Sequence, residues 1–364
     1  MKNRLSAVPA KAFFFLLFFL VLFCSQTTSA QWSAAFSTMQ EYDSSPYRSP
    51  VDEPDIISSY NGGLEYGFGS FNLLYYGSYS LFNETKERNY YWHQLGIYNI
   101  GESSAFGLYG EQRINKTDFN FYDYISFTGY YRQKFDSLLL TPVINFTGSY
   151  RKYRIISDYN NIFLSAGINV NKSFQTKTAV IVNSSFNYKY YPVREDDSGL
   201  SSSQLYFNFR VAQSIFEGTG IAAYYFNRSL LGESLTLAGD YTYSFGDESD
   251  LYDDPYSRNE NAFGMELTQI LPEEIIAKAG FEISKKNYPS QGIYIDAETY
   301  ETGTDRDDRQ NAFYLKMNKT IAFDSTGLPS LNIGLSYSFI NKNSNSYWYE
   351  YEGSLFSINL GLQL

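Results

Sequence analysis

A chain of 364 residues with a net charge of −11, one histidine and one cysteine excludes several functions before any motif is read. An acidic surface repels nucleic-acid phosphates, one His with one Cys leaves a zinc site short of its preferred ligands, and a lone thiol builds no disulfide framework. Aromatic residues reach 19%, with 36 Tyr, 30 Phe and 26 Gly, and the amphipathic Tyr ring suits a boundary between apolar and wet phases.

Residues 1–30 read as a cleavable secretory signal. Lys2, Arg4 and Lys11 make a basic start, an apolar run extends from Ala12 to Cys24, and Thr28-Ser-Ala30 supplies a small-residue exit. The run is shorter than the roughly 20 residues a spanning helix needs. Phe23 is bulky where lipoprotein processing before Cys24 would want a small residue, so cleavage after Ala30 is expected. Residues 31–364 then form one domain.

Along that domain, segments of about 10–16 residues alternate apolar and polar with period two. Ile162, Leu164, Ala166, Ile168 and Val170 oppose Asn161, Ser165, Gly167, Asn169 and Asn171. Leu205, Phe207, Phe209 and Val211 oppose Tyr206, Asn208 and Arg210; Ile275, Ala277, Ala279, Phe281 and Ile283 oppose Lys278, Gly280, Glu282 and Ser284. Leu331, Ile333, Leu335, Tyr337 and Phe339 oppose Asn332, Gly334, Ser336 and Ser338, and Phe356–Leu364 alternates to the last residue. Successive strand residues point to opposite faces, so each segment has one apolar and one polar side. Residues 228–258 fit less well: Leu235, Leu237 and Gly239 through Phe245 alternate but upset the up-and-down count. They read as an extension of a neighbouring strand or as a hairpin above a membrane.

Such alternation suits either a soluble sandwich or a membrane barrel. Length separates them, because soluble strands cluster near 5–6 residues and tilted spanning strands need about 9–11. The segments 160–171, 203–215, 275–285 and 331–340 are of the longer kind. Connections at 67–70, 101–103, 216–219 and 271–274 are turn-like. Those at 43–57, 191–202, 246–259, 289–309 and 341–347 are longer and polar, as expected of periplasmic turns and extracellular loops. The expectation is an all-β, transmembrane, antiparallel up-and-down barrel of roughly 16 strands, with 14 or 18 as alternatives. The number is even, and both termini are periplasmic. The aromatic groups Tyr90-Tyr-Trp92, Tyr188 with Tyr190 and Tyr191, Tyr224-Tyr-Phe226 and Tyr347-Trp-Tyr349 read as membrane-interface girdles.

No constellation points to an enzyme. His93, the one potential histidine base, lies in Tyr91-Trp-His-Gln-Leu95 with no nucleophile motif nearby. Asp247, Glu248, Asp250, Asp253 and Asp254 fall in one loop, and Asp296, Glu298, Glu301, Asp305, Asp307 and Asp308 in another. Neither has the spacing of a calcium loop, so both read as solvated, self-repelling external loops. No cofactor, metal or catalytic residue is expected. Arg210, Lys278 and Glu282 are the lumen-facing candidates, because interior charges tune which solutes pass a barrel.

Leu271-Pro-Glu-Glu274 as a turn, Arg306-Asp-Asp-Arg309 opening a strand, and Asn343-Ser-Asn-Ser-Tyr347 followed by Tyr349-Glu-Tyr351 resemble a large class of porin-like Gram-negative outer-membrane β-barrels. Many of these are tetratricopeptide-associated, or similar to the barrel of surface lipoprotein assembly modifiers. The resemblance covers about a third of the chain, and Leu364 stands where such barrels usually end in Phe. It implies the bacterial outer membrane as location and its lipid and the barrel-assembly machinery as partners, while the acidic charge argues against nucleic acid. A homo-oligomer is compatible with it. The function expected is a passive channel for small hydrophilic solutes. The alternative is a non-conducting barrel acting as export partner, adhesin or surface scaffold through its acidic loops.

Overall fold

The computed structural model describes residues 32–50, 53–136, 140–192, 200–232, 255–323 and 329–364. The first strands are β1 (Trp32–Asp43), β2 (Asp55–Phe68), β3 (Phe71–Phe82), β4 (Tyr90–Ile100), β5 (Ser104–Asn115) and β6 (Tyr124–Lys134). Then come β7 (Thr141–Tyr153), β8 (Asn161–Ser173), β9 (Thr178–Tyr191), β10 (Leu200–Phe216), β11 (Thr219–Leu230), β12 (Asn259–Ile270) and β13 (Ile276–Tyr288). Two short strands, β14 (Ile293–Tyr294) and β15 (Tyr300–Glu301), form a separate ribbon within one loop. The chain ends with β16 (Arg306–Ala322), β17 (Ser330–Ser344) and β18 (Tyr351–Gln363).

Apart from the ribbon, every strand pairs antiparallel with its sequence neighbours, and β1 closes on β18 through Ala35↔Gln363 to Asp43↔Leu355. The result is a closed barrel of 16 strands, the middle of the three expected counts. Closure leaves no strand edge bare, the condition for a sheet to stand in hydrocarbon. The barrel strands run from 11 to 17 residues, long enough to cross an apolar layer even when tilted.

The two ends of the barrel differ. Turns such as Gly69–Ser70 and Glu217–Gly218 are tight, and Gly69 and Gly218 take the positive φ that a reversal without a Cβ permits. The opposite end carries the longer connections with single 3-10 turns at Lys86–Arg88, Ser157–Tyr159 and Tyr347–Tyr349. The alternating stretch Leu235–Phe245 and the acidic group at Asp247–Asp254 lie outside the described residues.

Each barrel strand exposes large apolar or aromatic side chains on one face, among them Leu95, Leu108, Phe127, Leu164, Ile283 and Leu360. No second layer covers them among the described residues. Buried apolar groups are few and most lie at the loop end, as in the Tyr153, Ile156 and Tyr159 cluster, with Val143 and Ala222 nearer the tight turns. The molecule is thus turned inside out relative to a water-soluble sandwich, with its apolar belt outside and its polar side chains within.

Alternation divides the aromatic groups that the sequence suggested as girdles. Tyr91 and Tyr225 face outward and are about two-fifths exposed, whereas Tyr90, Trp92 and Tyr224 lie on the inner face. Tyr191 and Tyr349 are buried at the inner mouth. Adjacent strand residues cannot share a face, so a doublet contributes at most half its rings to an interface girdle.

Candidate functional site

Arg210, Lys278 and Glu282 stand on β10 and β13 with inward parity, since Phe209, Phe281 and Ile283 beside them are exposed outward. The structure brings them into one patch of inner wall whose centre is Glu266 of β12. Arg210 Nη2 donates to Glu266 Oε1 at 2.9 Å, and Lys278 Nζ lies 3.5 Å from the same oxygen. The Tyr314 hydroxyl of β16 donates to Glu266 Oε2 at 2.8 Å, and the Tyr224 hydroxyl of β11 donates to Glu282 Oε2 at 2.8 Å. Arg210, Lys278 and Glu266 remain 33%, 38% and 12% exposed, so the two cations face the interior space while the carboxylate that organises them is largely covered.

Directly opposite Lys278 in the β13–β16 ladder is Lys316. Like charges facing across a ladder destabilise a sheet. Here Glu266 draws Lys278 to one side, while Lys316 Nζ lies 5.3 Å from the centre of the Tyr314 ring. The patch therefore holds three cations against the two carboxylates Glu266 and Glu282.

Glycines shape the same wall. Gly264 faces Tyr224 across the β11–β12 ladder, and Gly280 faces Tyr314 across β13–β16. A Cβ on either glycine would overlap the facing phenol ring. Gly96 with Tyr109, and Gly107 with Tyr130, repeat the arrangement on the far wall. A ring over a cross-strand glycine keeps its apolar faces against backbone and extends its hydroxyl to a carboxylate.

A second polar cluster closes the loop end. Arg306 is fully buried, with its guanidinium carbon 3.9 Å from the Tyr288 ring centre and 3.3 Å from that of Tyr349. It donates to Asp308 Oδ1 at 3.0 Å and to Gln291 Oε1 at 3.0 Å, and Lys342 Nζ meets Asp308 Oδ2 at 2.9 Å. These bonds tie segments 289–305 and 345–350 to the inner wall. They also take apart the expected external acidic loop. Asp308 is an interior anchor, Asp296 caps a turn through the backbone N–H groups of Glu298 and Thr299, and Asp307 accepts from Asn287 at 3.0 Å. Among the described residues no group of three or more potential metal ligands occurs. The carboxyl of Asp296 is held below its ordinary pKa by those two N–H donors.

His93 faces outward on β4, its Nδ1 2.8 Å from the Tyr75 hydroxyl and its ring stacked on that of Tyr75. It is remote in kind from the charged inner wall. Two contributors were missed in the sequence, Glu266 and Lys316. Their inward parity was available from the exposed Phe263, Leu267, Phe313 and Leu315, but their meeting with β10 and β13 depends on register.

No family model matches the sequence, and no curated protein matches it. Solved structures of similar fold do. OccK8 (OprE) of Pseudomonas aeruginosa superposes with a TM-score of 0.54 at 8% identity, covering 92% of this chain and 98% of that one. The outer membrane protein OpdK of the same organism gives 0.52 at 6%, covering 92% and 98%. OccAB1 of Acinetobacter baumannii gives 0.50 at 11%, covering 92% and 96%. This chain shares their barrel fold over nearly its whole described length.

Proposed function

We propose that the protein is a porin-like passive channel of the bacterial outer membrane that admits small hydrophilic solutes. The observation that carries the reading is a closed 16-strand barrel with an apolar exterior and charged side chains inside. Barrels of about 8 strands fill their interior with side chains, whereas 16–18 strands leave an aqueous passage. The similarity in fold to an outer membrane protein of Pseudomonas aeruginosa supports the location.

In this reading residues 1–30 direct export and are removed, and the tight-turn end with both termini faces the periplasm. The barrel-assembly machinery takes up the terminal strand Phe356–Leu364 during biogenesis. No bond is made or broken in transport. Solutes diffuse down their gradient, and Arg210, Lys278 and Glu282 bias which charges enter, with Lys316 strengthening the cationic side. Glu266 is a positioning residue: it holds Arg210 and Lys278 at the wall and so keeps their long side chains out of the bore.

Refolded protein in planar lipid bilayers tests the reading. Discrete ohmic conductance steps are expected, with a reversal potential in a salt gradient that moves when Lys278 or Lys316 is replaced by Gln. A folded barrel that inserts without conducting would overturn the channel and favour action through the loops.

A further inference from the structure

The outer wall carries a groove of about 670 Å³ across β5 to β9. One row of directly paired outward residues runs Leu108–Gly129–Gly148–Leu164–Tyr188, and the next runs Tyr131–Phe146–Ala166–Phe186. Two glycines side by side, with an alanine beside them, lower the floor, and the aromatic and leucine side chains form the walls. A Cβ at Gly148 would stand 3.3 Å from Leu164 Cδ2, so the depression exists because those positions lack side chains.

Basic groups stand above it, on the same strand and just past its end. Gly148, Tyr150 and Lys152 are successive outward residues of β7, which puts Lys152 roughly 14 Å up the wall at about 3.4 Å per residue. Lys152 is exposed and has no ion pair among the described residues. Arg154, beyond it at the loop end, keeps 74% of its side chain exposed, with Nη1 3.5 Å from Asp123 Oδ2. An apolar slot in the belt with two outward cations above it matches a lipid that joins a hydrocarbon tail to an anionic head.

We propose that this face is a specific site for a phosphorylated membrane glycolipid. One acyl chain lies in the Gly129–Gly148 groove, and a head-group phosphate lies between Lys152 and Arg154. The proposal rests on the outer-membrane reading and on the loop end facing outward, where such lipids would present their phosphates.

Native mass spectrometry of the refolded, detergent-solubilised full chain, titrated with purified lipid A, tests it. One retained lipid A per barrel is expected, with little retention of phosphatidylcholine or of lipid A stripped of both phosphates. Lys152→Gln and Arg154→Gln should each weaken retention about fivefold, the effect of one charge near an anionic head. Gly148→Leu should weaken it by filling the slot. Equal retention of lipid A by wild type and all three variants would overturn the site. So would a dimer that Gly148→Leu dissociates, which would assign the groove to a second copy of this chain. Conductance measured on the same samples keeps the two readings apart, since the groove variants leave the inner wall untouched. A wild-type barrel that conducts but retains lipid A no better than phosphatidylcholine refutes this site alone, and absent conductance refutes the channel.

Discussion

The phenol ring of Tyr314 occupies the space in which a side chain of Gly280 would stand, across the β13–β16 ladder. That contact places the Tyr314 hydroxyl on Glu266, so the packing of the wall and the placement of its charges are one arrangement. Gly280→Val should displace the ring and destabilise the barrel by about 1–3 kcal/mol, the usual range for overpacking. Urea unfolding in lipid vesicles, followed by Tyr and Trp fluorescence, checks the value. A change below about 0.5 kcal/mol would mean that the ring swings freely.

Glu266→Gln keeps the size of the side chain but removes the charge that holds Arg210 and Lys278. The patch then has three cations and one carboxylate, and the two long side chains are released into the bore. Selectivity should shift toward anions, read as a reversal-potential change in a salt gradient, with smaller conductance steps. An unchanged reversal potential would show that the patch lies away from the ion path.

Arg306→Met leaves Asp308 buried with Lys342 as its remaining cation. Removing one partner of a buried pair costs about 3–5 kcal/mol, and the lower end applies here because Lys342 stays. The ties to Gln291 and Tyr349 are lost as well, so limited proteolysis should cut within 289–305 faster than in the wild type. An unaltered cleavage rate would mean that the aromatic packing alone holds the loop.

Glu273 and Glu274 both take positive φ, 58° and 61°, in the turn after Pro272. A left-handed conformation costs a residue with a Cβ about 1–2 kcal/mol, and glycine escapes most of that. Glu274→Gly should therefore stabilise the barrel by up to about 1 kcal/mol, measurable as a higher urea midpoint.

The same turn carries a pH response. Lys319 Nζ donates to Glu273 Oε2 at 2.5 Å, and this bond together with the lysine's charge holds the Glu273 carboxyl below its ordinary value of 4.5. A lowered folded-state pKa means that the contribution to stability is complete above 4.5 and fades as the pH falls through the lowered value. Lys319→Met should return the titration of Glu273 to near 4.5, a shift that NMR of carboxyl-labelled protein would register. The full exposure of Glu273 keeps the effect on overall stability small.

Period-two alternation made most of the fold legible in the sequence. Leu205, Phe207 and Phe209 face out, and Arg210 faces in, as their parity required. Strand length then told a barrel from a sandwich. Parity also placed Lys278 and Glu282 on the inner wall. It could not say that Arg210 would reach Glu266 two strands away, because that meeting is set by the stagger of β10, β11 and β12. Composition misled where it ignored parity. Tyr90-Tyr-Trp92 looked like one belt of rings, yet its members divide between the two faces. The acidic run around Asp305–Asp308 looked like one solvated loop, yet Asp307 faces out to Asn287 and Asp308 is sealed behind Arg306.

The seam between β1 and β18 joins the first described strand to the last. Until the final strand is in place, every growing chain has two unsatisfied edges, each a template for the wrong neighbour. Completion of such a molecule is an all-or-none event. Deleting a single strand would leave an odd number, so one ladder of the ring, either at the gap or at the seam, would have to pair parallel instead of antiparallel.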